Sequence, residues 1–473
     1  MNNSVLSQQL DVPVPAPSLM VSRHLAIFLV IGDLGGLFFS LILAYFLQFG
    51  ELHNPLSKVL LGILALAMVV FYIGDAYRPD LQVSGLWAPA RTLICCLILG
   101  FLLAALSYLL RTTAFTQLTW RAVLLPGLGL FTVWAVLLRA FACAIAQAHA
   151  KQSTCLLLGA NEDTVRFEHD FAAWNPQGKL VILADPSDLA REMSNHPRRL
   201  CSQLDELPLW SAQSWSGVVV ASPLQLTNQE TQHLLQLRCK GTPVYQLPNF
   251  YETVWQKLPS RLLKDNWLAF GHGFDLVASR ASFKAKRIVD VMIATLLLLS
   301  LLPLLVLTAV AIKCESAGPI FYSQMRNGQN AIPFRVYKFR SMFQNAEKQG
   351  AQWAQKRDPR VTRVGYWLRL MRIDELPQLW NVLNGEMSLV GPRPERPEFD
   401  TQLAEQIPYY TLRYLVKPGI TGWAQVRYPY GASVEDAYEK LAYDLYYIKN
   451  YSIWLDLIIV FQTIRVVLLG KGR

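Results

Sequence analysis

Apolar residues crowd the first third of the chain in four runs, near 25–49, 57–74, 92–110 and 122–145. Polar links at Glu51–Ser57, Tyr77–Arg91 and Arg111–Arg121 separate them. Each run is long enough, or nearly so, to cross roughly 30 Å of hydrocarbon at about 1.5 Å per residue. The pattern therefore predicts an α-helical segment of four membrane spans within residues 1–150. The basic residues of the links give no orientation, because Arg78 and Arg91 oppose Lys58, Arg111 and Arg121. In the first run, Gly32, Asp33, Gly35 and Gly36 have the small-residue character of helix-packing positions. Asp33 reads equally as a functional group or as a paired structural one.

The pattern shifts over residues 151–280. Cys155–Ala160, Leu180–Ala184, Gly217–Ala221 and Thr242–Leu247 are short β-like runs with helical or loop segments between them. Such alternation predicts a small parallel α/β unit of Rossmann-like type. The string LLLGANED at Leu156–Asp163 has one glycine where the dinucleotide fingerprint needs three. A degenerate fold, serving as scaffold or dimerisation unit, is the preferred reading over nucleotide binding.

Residues 281–473 form the third region. Lys284-Ala-Lys286-Arg287 precede an apolar run from Ile288 to Ile312 that Pro303 interrupts, and Lys313 follows it. Proline removes a helical hydrogen bond and kinks the helix. Positive charge at both ends favours a re-entrant hairpin over 287–313, dipping into one leaflet, above a fifth crossing. Asp290 is expected to pair with Arg287 or a neighbour.

Composition agrees with a membrane protein. Of 473 residues, 52% are hydrophobic and 16% charged, with a mean hydropathy of +0.25. The net charge of +10 sits mostly in residues 284–473, where 25 Lys+Arg face 16 Asp+Glu. That excess points to phosphate-rich partners or an anionic lipid bilayer. Nucleic acid is the rival reading, ranked well below because the same region carries a strongly apolar run and no nucleic-acid motif, so no nucleic-acid partner is expected. Seven scattered cysteines show neither a C-x-x-C pair nor a metal spacing. Thiols so placed suit a reducing, cytoplasmic setting for the soluble parts. The first twenty residues lack the apolar core and cleavage site of a signal peptide.

Polar clusters after the hairpin carry the candidate chemistry. They are Arg326-Asn-Gly328, Tyr337-Lys338-Phe339-Arg340-Ser341-Met342, the pair Arg369 and Arg372, Asp374-Glu375-Leu376-Pro377-Gln378, Gly391-Pro392-Arg393-Pro394, and Lys417-Pro-Gly-Ile-Thr-Gly-Trp423. Adjacent helical side chains diverge by about 100°, so one carboxylate of Asp374 and Glu375 can face a metal and the other a reacting phosphorus. Paired hard oxygens suit Mg²⁺, which completes its shell with water and phosphate. Lys338 and the arginines, including Arg326, Arg340, Arg369 and Arg393, can hold a pyrophosphate. Asp374 is placed near a helix N-terminus, where anions are favoured. Each piece alone also has a plain reading: a cap, a dipole-matched first turn, a solvated face, ordinary turns. Residue chemistry alone thus reaches membrane-attached phosphate handling with a candidate divalent metal.

The order of these strings decides further. KRIVD before a proline-broken hairpin, YKFRSM, DELPQLWNVLNGEMSLVGPRP and KPGITGWAQV resemble the bacterial sugar transferases, the polyprenyl-phosphate hexose-1-phosphate transferases. The resemblance covers roughly 284–473, and the upstream organisation is similar to large members such as undecaprenyl-phosphate glucose phosphotransferases. It implies a mainly α monotopic catalytic domain with a re-entrant membrane helix on the cytoplasmic face of the bacterial inner membrane. It implies a UDP-sugar donor, an undecaprenyl phosphate acceptor, Mg²⁺, release of UMP and a covalent phosphosugar on Asp374. Glu375 then helps hold the metal, and Lys338, Arg369 and Arg393 contact phosphates. A homodimer is also implied. The family's Ser-Pro at the hairpin break is Leu302-Pro303 here, with Ser300 as the nearby hydroxyl. The stretch RYPYGASVED at Arg427–Asp436 is similar to exopolysaccharide-associated members and favours glucose or galactose. Two rivals remain: a glycosyltransferase releasing UDP, and a membrane scaffold or transporter whose α/β unit senses a ligand.

Overall fold

A computed structural model describes residues 21–51, 57–77, 88–110, 121–176, 178–184, 199–221, 226–263, 274, 280–344, 358–428 and 433–468. The first twenty residues, Arg78, Arg111 and part of the 427–436 stretch lie outside them. The chain divides into two compact units, Met1–Leu247 and Pro248–Arg473.

The first unit begins with α1 (Val21–Phe49), α2 (Lys58–Ile73), α3 (Ala88–Leu110) and α4 (Arg121–Gln152). Three of them, α1, α3 and α4, are long and apolar enough to cross a membrane. The second predicted span forms a shorter helix of 16 residues, about 24 Å at 1.5 Å per residue. These helices are apolar on their outer as well as inner faces: Phe39 and Phe101 are 70% and 74% exposed. Such all-round apolarity is the mark of a helix in lipid, and the protein is membrane-anchored.

Leu41, Leu60, Leu99 and Ala135 fill the space between the helices. Close approach of α1 to α4 depends on glycine: a Cβ at Gly36 would lie 2.2 Å from the Trp134 ring, and one at Gly32 would lie 2.6 Å from Leu138. Gly35, expected to act likewise, faces open space. Asp33 is the paired structural residue. Both its oxygens accept from the Arg139 guanidinium, which in turn lies 5.1 Å from the Phe71 ring centroid.

The parallel sheet comprises β1 (Thr154–Leu158), β2 (Lys179–Leu183), β3 (Arg199–Ser202), β4 (Gly217–Val220) and β5 (Val244–Gln246), in the order β3-β2-β1-β4-β5. Four strands fall on the four predicted runs. β3 (RLCS) was missed because it has no apolar run. Helix α5 (Glu162–Trp174) follows β1 through Gly159, whose φ of 93° belongs to the left-handed region that glycine favours. The Asn161 side chain takes the Thr164 amide in a capping box, so that donor is already satisfied. Helix α6 (Asn228–Cys239) connects β4 to β5.

The second unit starts at Pro248, upstream of residue 281, where the sequence pattern places the start of the catalytic domain. The reason is packing: Leu258 and Leu263 are buried with Leu403, Ile407 and Leu441 of the later domain. Helices α7 (Arg280–Ser300) and α8 (Leu302–Glu315) form a broken pair bent by 61°, the geometry of a broken span or of a re-entrant hairpin. Pro303 lies in the first turn of α8, where a missing N–H costs nothing. Ser300 Oγ donates to Leu297 O at 3.2 Å, and not to the Leu299 carbonyl that a proline at 303 leaves without its helical donor.

The base of the hairpin is tied into protein. Lys286 donates to Asp456 at 2.6 Å, and Arg287 caps the Val382 and Leu383 carbonyls. Asp290 accepts from Ser388 Oγ at 2.8 Å and from Leu389 N at 3.3 Å. The basic flank expected to face lipid headgroups is therefore partly internal, and Asp290 pairs with a strand instead of Arg287. Both outcomes follow from the cost of leaving buried polar groups unpaired.

Antiparallel strands β6 (Phe321–Asn327) and β7 (Pro333–Phe339) follow, then α9 (Arg363–Leu370), α10 (Gln378–Asn384), β8 (Ser388–Val390), α11 (Pro397–Gln406), β9 (Gly419–Thr421), α12 (Val434–Lys449) and α13 (Ile453–Leu468). β8 and β9 pair in parallel, and their ends nearly touch. A Cβ on Gly391 would lie 2.3 Å from Lys417 O, and one on Gly419 would lie 2.1 Å from Gly391 N. That approach explains the glycines in both motifs.

Breaking one partner of a buried ion pair costs about 3–5 kcal/mol, while replacing both is often neutral. Arg139→Met is thus expected to lower the thermal midpoint in detergent sharply, and Asp33→Leu with Arg139→Met to recover most of it. Equal midpoints for the single and double variants would contradict the pairing.

Candidate active site

Residue Arg372 sets the local path of the chain. Helix α9 ends at Leu370, and Arg372 turns left-handed at φ 58°, ψ 19°. A non-glycine residue seldom adopts that conformation, and it is a mark of functional turns. The chain then enters a 3-10 turn, Ile373–Glu375, held by Glu375 N→Arg372 O at 3.3 Å and Leu376 N→Ile373 O at 3.1 Å. Both carboxylates are buried there, 8% exposed for Asp374 and 6% for Glu375. Asp374 stands four residues before α10, whose N-cap Pro377 makes no side-chain cap bond. The expected helix-terminal placement of Asp374 is therefore not what holds it.

Glu375 is a hub. Its Oε1 accepts from Arg393 at 2.7 Å and Lys338 at 3.1 Å, and its Oε2 from Arg372 at 3.2 Å. Lys338 comes from β7, and Arg393 from the loop after β8. Burial alone would raise the Glu375 carboxyl, but Arg393, Lys338 and Arg372 outweigh it and hold it well below the usual range. Burial pushes the Lys338 amine down, with Glu375 opposing.

Asp374 differs from its neighbour. Among the described residues it makes no hydrogen bond or ion pair. Burial, followed by the Glu375 charge beside it, raises its carboxyl to about 6, while Lys338, Arg369 and Arg372 oppose that rise. A carboxylate unpaired among the described residues thus stands beside three cations, Lys338, Arg369 and Arg372, with Arg393 on the adjoining Glu375. Such an arrangement can receive a polyanion and present an oxygen nucleophile to it.

The structure gathers most, but not all, of the residues singled out from the sequence. Arg369 donates Nε–H to Ser341 Oγ at 3.1 Å, and its terminal nitrogens make no bond among the described residues. Arg326 donates to Pro394 O at 3.2 Å in the same arginine loop and lies 3.5 Å from Glu395. Arg340 is set apart: it donates to Ala317 O, Ser316 O and Ser316 Oγ at 2.7–2.9 Å, closing the end of α8. Its guanidinium is committed to the hairpin and is not offered to phosphate. Arg372 shares Glu375 with Lys338, although spacing alone had grouped it with Arg369 on one helix face. Arg413, which no motif marked, donates to Arg393 O at 2.8 Å and to Asp444 at 3.2 Å.

For a divalent metal the donors are few. Among the described residues no three His, Cys, Asp or Glu side chains gather into a site. A carboxylate offers about four lone-pair directions. The three cations use three on Glu375, so one remains on Oε2, beside the free Asp374 oxygens. That set fits Mg²⁺ only with water and phosphate completing the shell, which is its usual manner.

A family model described as bacterial sugar transferase matches residues 281–470. A UDP-N-acetylgalactosamine-undecaprenyl-phosphate N-acetylgalactosaminephosphotransferase from Aeromonas hydrophila is 47% identical over 230 residues, 49% of this chain and 53% of that protein. A UDP-glucose:undecaprenyl-phosphate glucose-1-phosphate transferase from Escherichia coli (strain K12) is 42% identical over 44% of this chain and 45% of its own length. One of the same description from Caulobacter vibrioides is 47% identical over 38% of this chain and 68% of its own length. The chain spans about half the length of the first curated relatives it matches.

Because the folded Glu375 pKa is depressed, its stabilising contribution is present above the unfolded value of 4.5 and lost as pH falls through the folded one. Wild type should therefore exceed Glu375→Gln in thermal midpoint at pH 7. The gap should narrow by pH 4; a gap independent of pH would refute the ionised hub.

Proposed function

Because the chain belongs to the bacterial sugar transferase family, we propose that it moves a hexose-1-phosphate from a UDP-sugar to undecaprenyl phosphate, with Asp374 as nucleophile. The observation that carries this reading is the buried Asp374 carboxylate, unpaired among the described residues and beside a wall of cations.

In the first step an Asp374 oxygen attacks the sugar-bearing phosphorus. The bond from that phosphorus to the bridging oxygen breaks, and its electron pair leaves with UMP. In the second step a phosphate oxygen of the lipid attacks the same phosphorus and Asp374 is released as carboxylate, leaving a polyprenyl-diphosphate sugar. Two displacements suit an enzyme with a soluble donor and a lipid acceptor. Lys338, Arg369 and Arg393 hold the phosphates, since guanidinium groups match phosphate oxygens in pairs. Glu375 keeps Lys338, Arg372 and Arg393 in place between turnovers, and with Asp374 it would hold Mg²⁺. When bound, that ion neutralises charge on the diphosphate.

The α7–α8 hairpin would enter one leaflet from the cytoplasmic face of the inner membrane, where nucleotide sugars are made. We read α2 as a fourth crossing, the parallel sheet as Rossmann-like, and the assembly as a homodimer. The sugar is proposed to be glucose, with galactose and N-acetylgalactosamine as the tested alternatives, since the named relatives divide between glucose and N-acetylgalactosamine. The product would begin a surface glycan such as an exopolysaccharide.

Nucleotide release by purified protein with undecaprenyl phosphate, Mg²⁺ and each UDP-sugar tests the proposal. UMP is expected from wild type, and Asp374→Asn should lose on the order of 10⁴-fold or more in rate. UDP as the product would instead mean direct glycosyl transfer. Since the nucleophile must be ionised, the rate should rise with pH through about 6. A flat profile from pH 5 to 8 would count against Asp374.

A further inference from the structure

The family match begins at residue 281, yet the catalytic unit begins at Pro248. Between them, Tyr251–Leu263 lies along the same unit as a strap. Its backbone bond is Leu258 N→Ala442 O at 2.8 Å, and its ion pairs are Lys257–Glu439 at 3.0 Å and Glu252–Lys449 at 2.6 Å. Gln256 is the point of interest. It is left-handed, at φ 55°, a conformation uncommon outside glycine. In that position its carbonyl accepts from Trp423 Nε1 at 2.9 Å and its side-chain oxygen from Arg427 at 2.5 Å.

Trp423 is two residues past Thr421, whose carbonyl accepts from Gly391 N at 2.9 Å. Pro392 O accepts from Gly419 N at 2.9 Å. The loop carrying Arg393 is therefore fastened to β9, and β9 leads straight into the residue that the strap grips. A second route converges on the same loop. Leu258 and Leu263 pack in a cluster with Tyr410, and Arg413 bonds both Tyr410 and the Arg393 carbonyl.

We propose that the strap Tyr251–Leu263 is a positioning element of the catalytic unit, holding through Gln256 and Trp423 the loop that presents Arg393 to Glu375. The role of Arg393 toward phosphate rests on the proposed function; the placement of the loop does not.

The test is hydrogen–deuterium exchange of the full-length chain in detergent, with Trp423→Phe, which keeps an aromatic ring of smaller size and deletes the donor, and Gln256→Ala, which deletes the side-chain acceptor. Both variants are expected to speed exchange at least threefold in peptides spanning Val390–Arg393 and Gly419–Thr421, leaving the α9 peptides as in wild type. In the transfer assay they should raise the KM for UDP-sugar more than they lower kcat. Unchanged exchange at the loop, or a uniform rise across the unit, overturns the proposal. Faster loop exchange in a protein that releases no UMP would sustain the strap and reject the function instead.

Discussion

Glu375 carries three cations on one buried carboxylate, and the catalytic unit is arranged around that fact. Lys338 arrives from a β-hairpin, Arg372 from a left-handed turn and Arg393 from a glycine-bounded loop. An ion buried without partners costs several kcal/mol, so each of these segments is constrained to deliver its charge to one point. The adjacent Asp374 is left without a partner among the described residues, and burial, followed by the Glu375 charge, raises its pKa against the pull of the nearby cations. One carboxylate organises the site and the other is available for reaction.

The broken helix pair α7–α8 is joined to this centre through its polar base. Asp290 is bonded to β8, which ends at the loop carrying Arg393. Arg287 closes the far end of α10, the helix that begins just after the acidic turn. The broken helix pair and the acidic turn are thus linked by rigid secondary structure. The N-terminal helices use the same device in lipid, where Asp33 and Arg139 satisfy each other.

Neighbouring residues of one motif can have different duties. Lys338 and Arg340 are two apart on an extended stretch, and Lys338 meets Glu375 while Arg340 binds the end of α8. Arg369 and Arg372 are three apart, but the helix ends at Leu370 and Arg372 itself turns left-handed, which breaks the helical face they would have shared. The segment 248–263 has no apolar periodicity marking it as part of the second unit, because its attachment rests on two packed leucines and a few bonds to residues far along the chain.

Apolar periodicity determined where the membrane helices, the proline break and four of the five parallel strands lie, since these follow from local burial and backbone rules. The ordered motifs determined the family and the acidic pair. Tertiary structure alone decided which cations meet Glu375, that Asp374 stays free of them, that Arg340 serves the hairpin, and where the catalytic unit begins. Apart from the local Arg372–Glu375 pair, those outcomes depend on pairings between residues 18 to 197 positions apart. Such pairings are selected by the cost of burying unmatched charge, a quantity no single stretch of sequence contains.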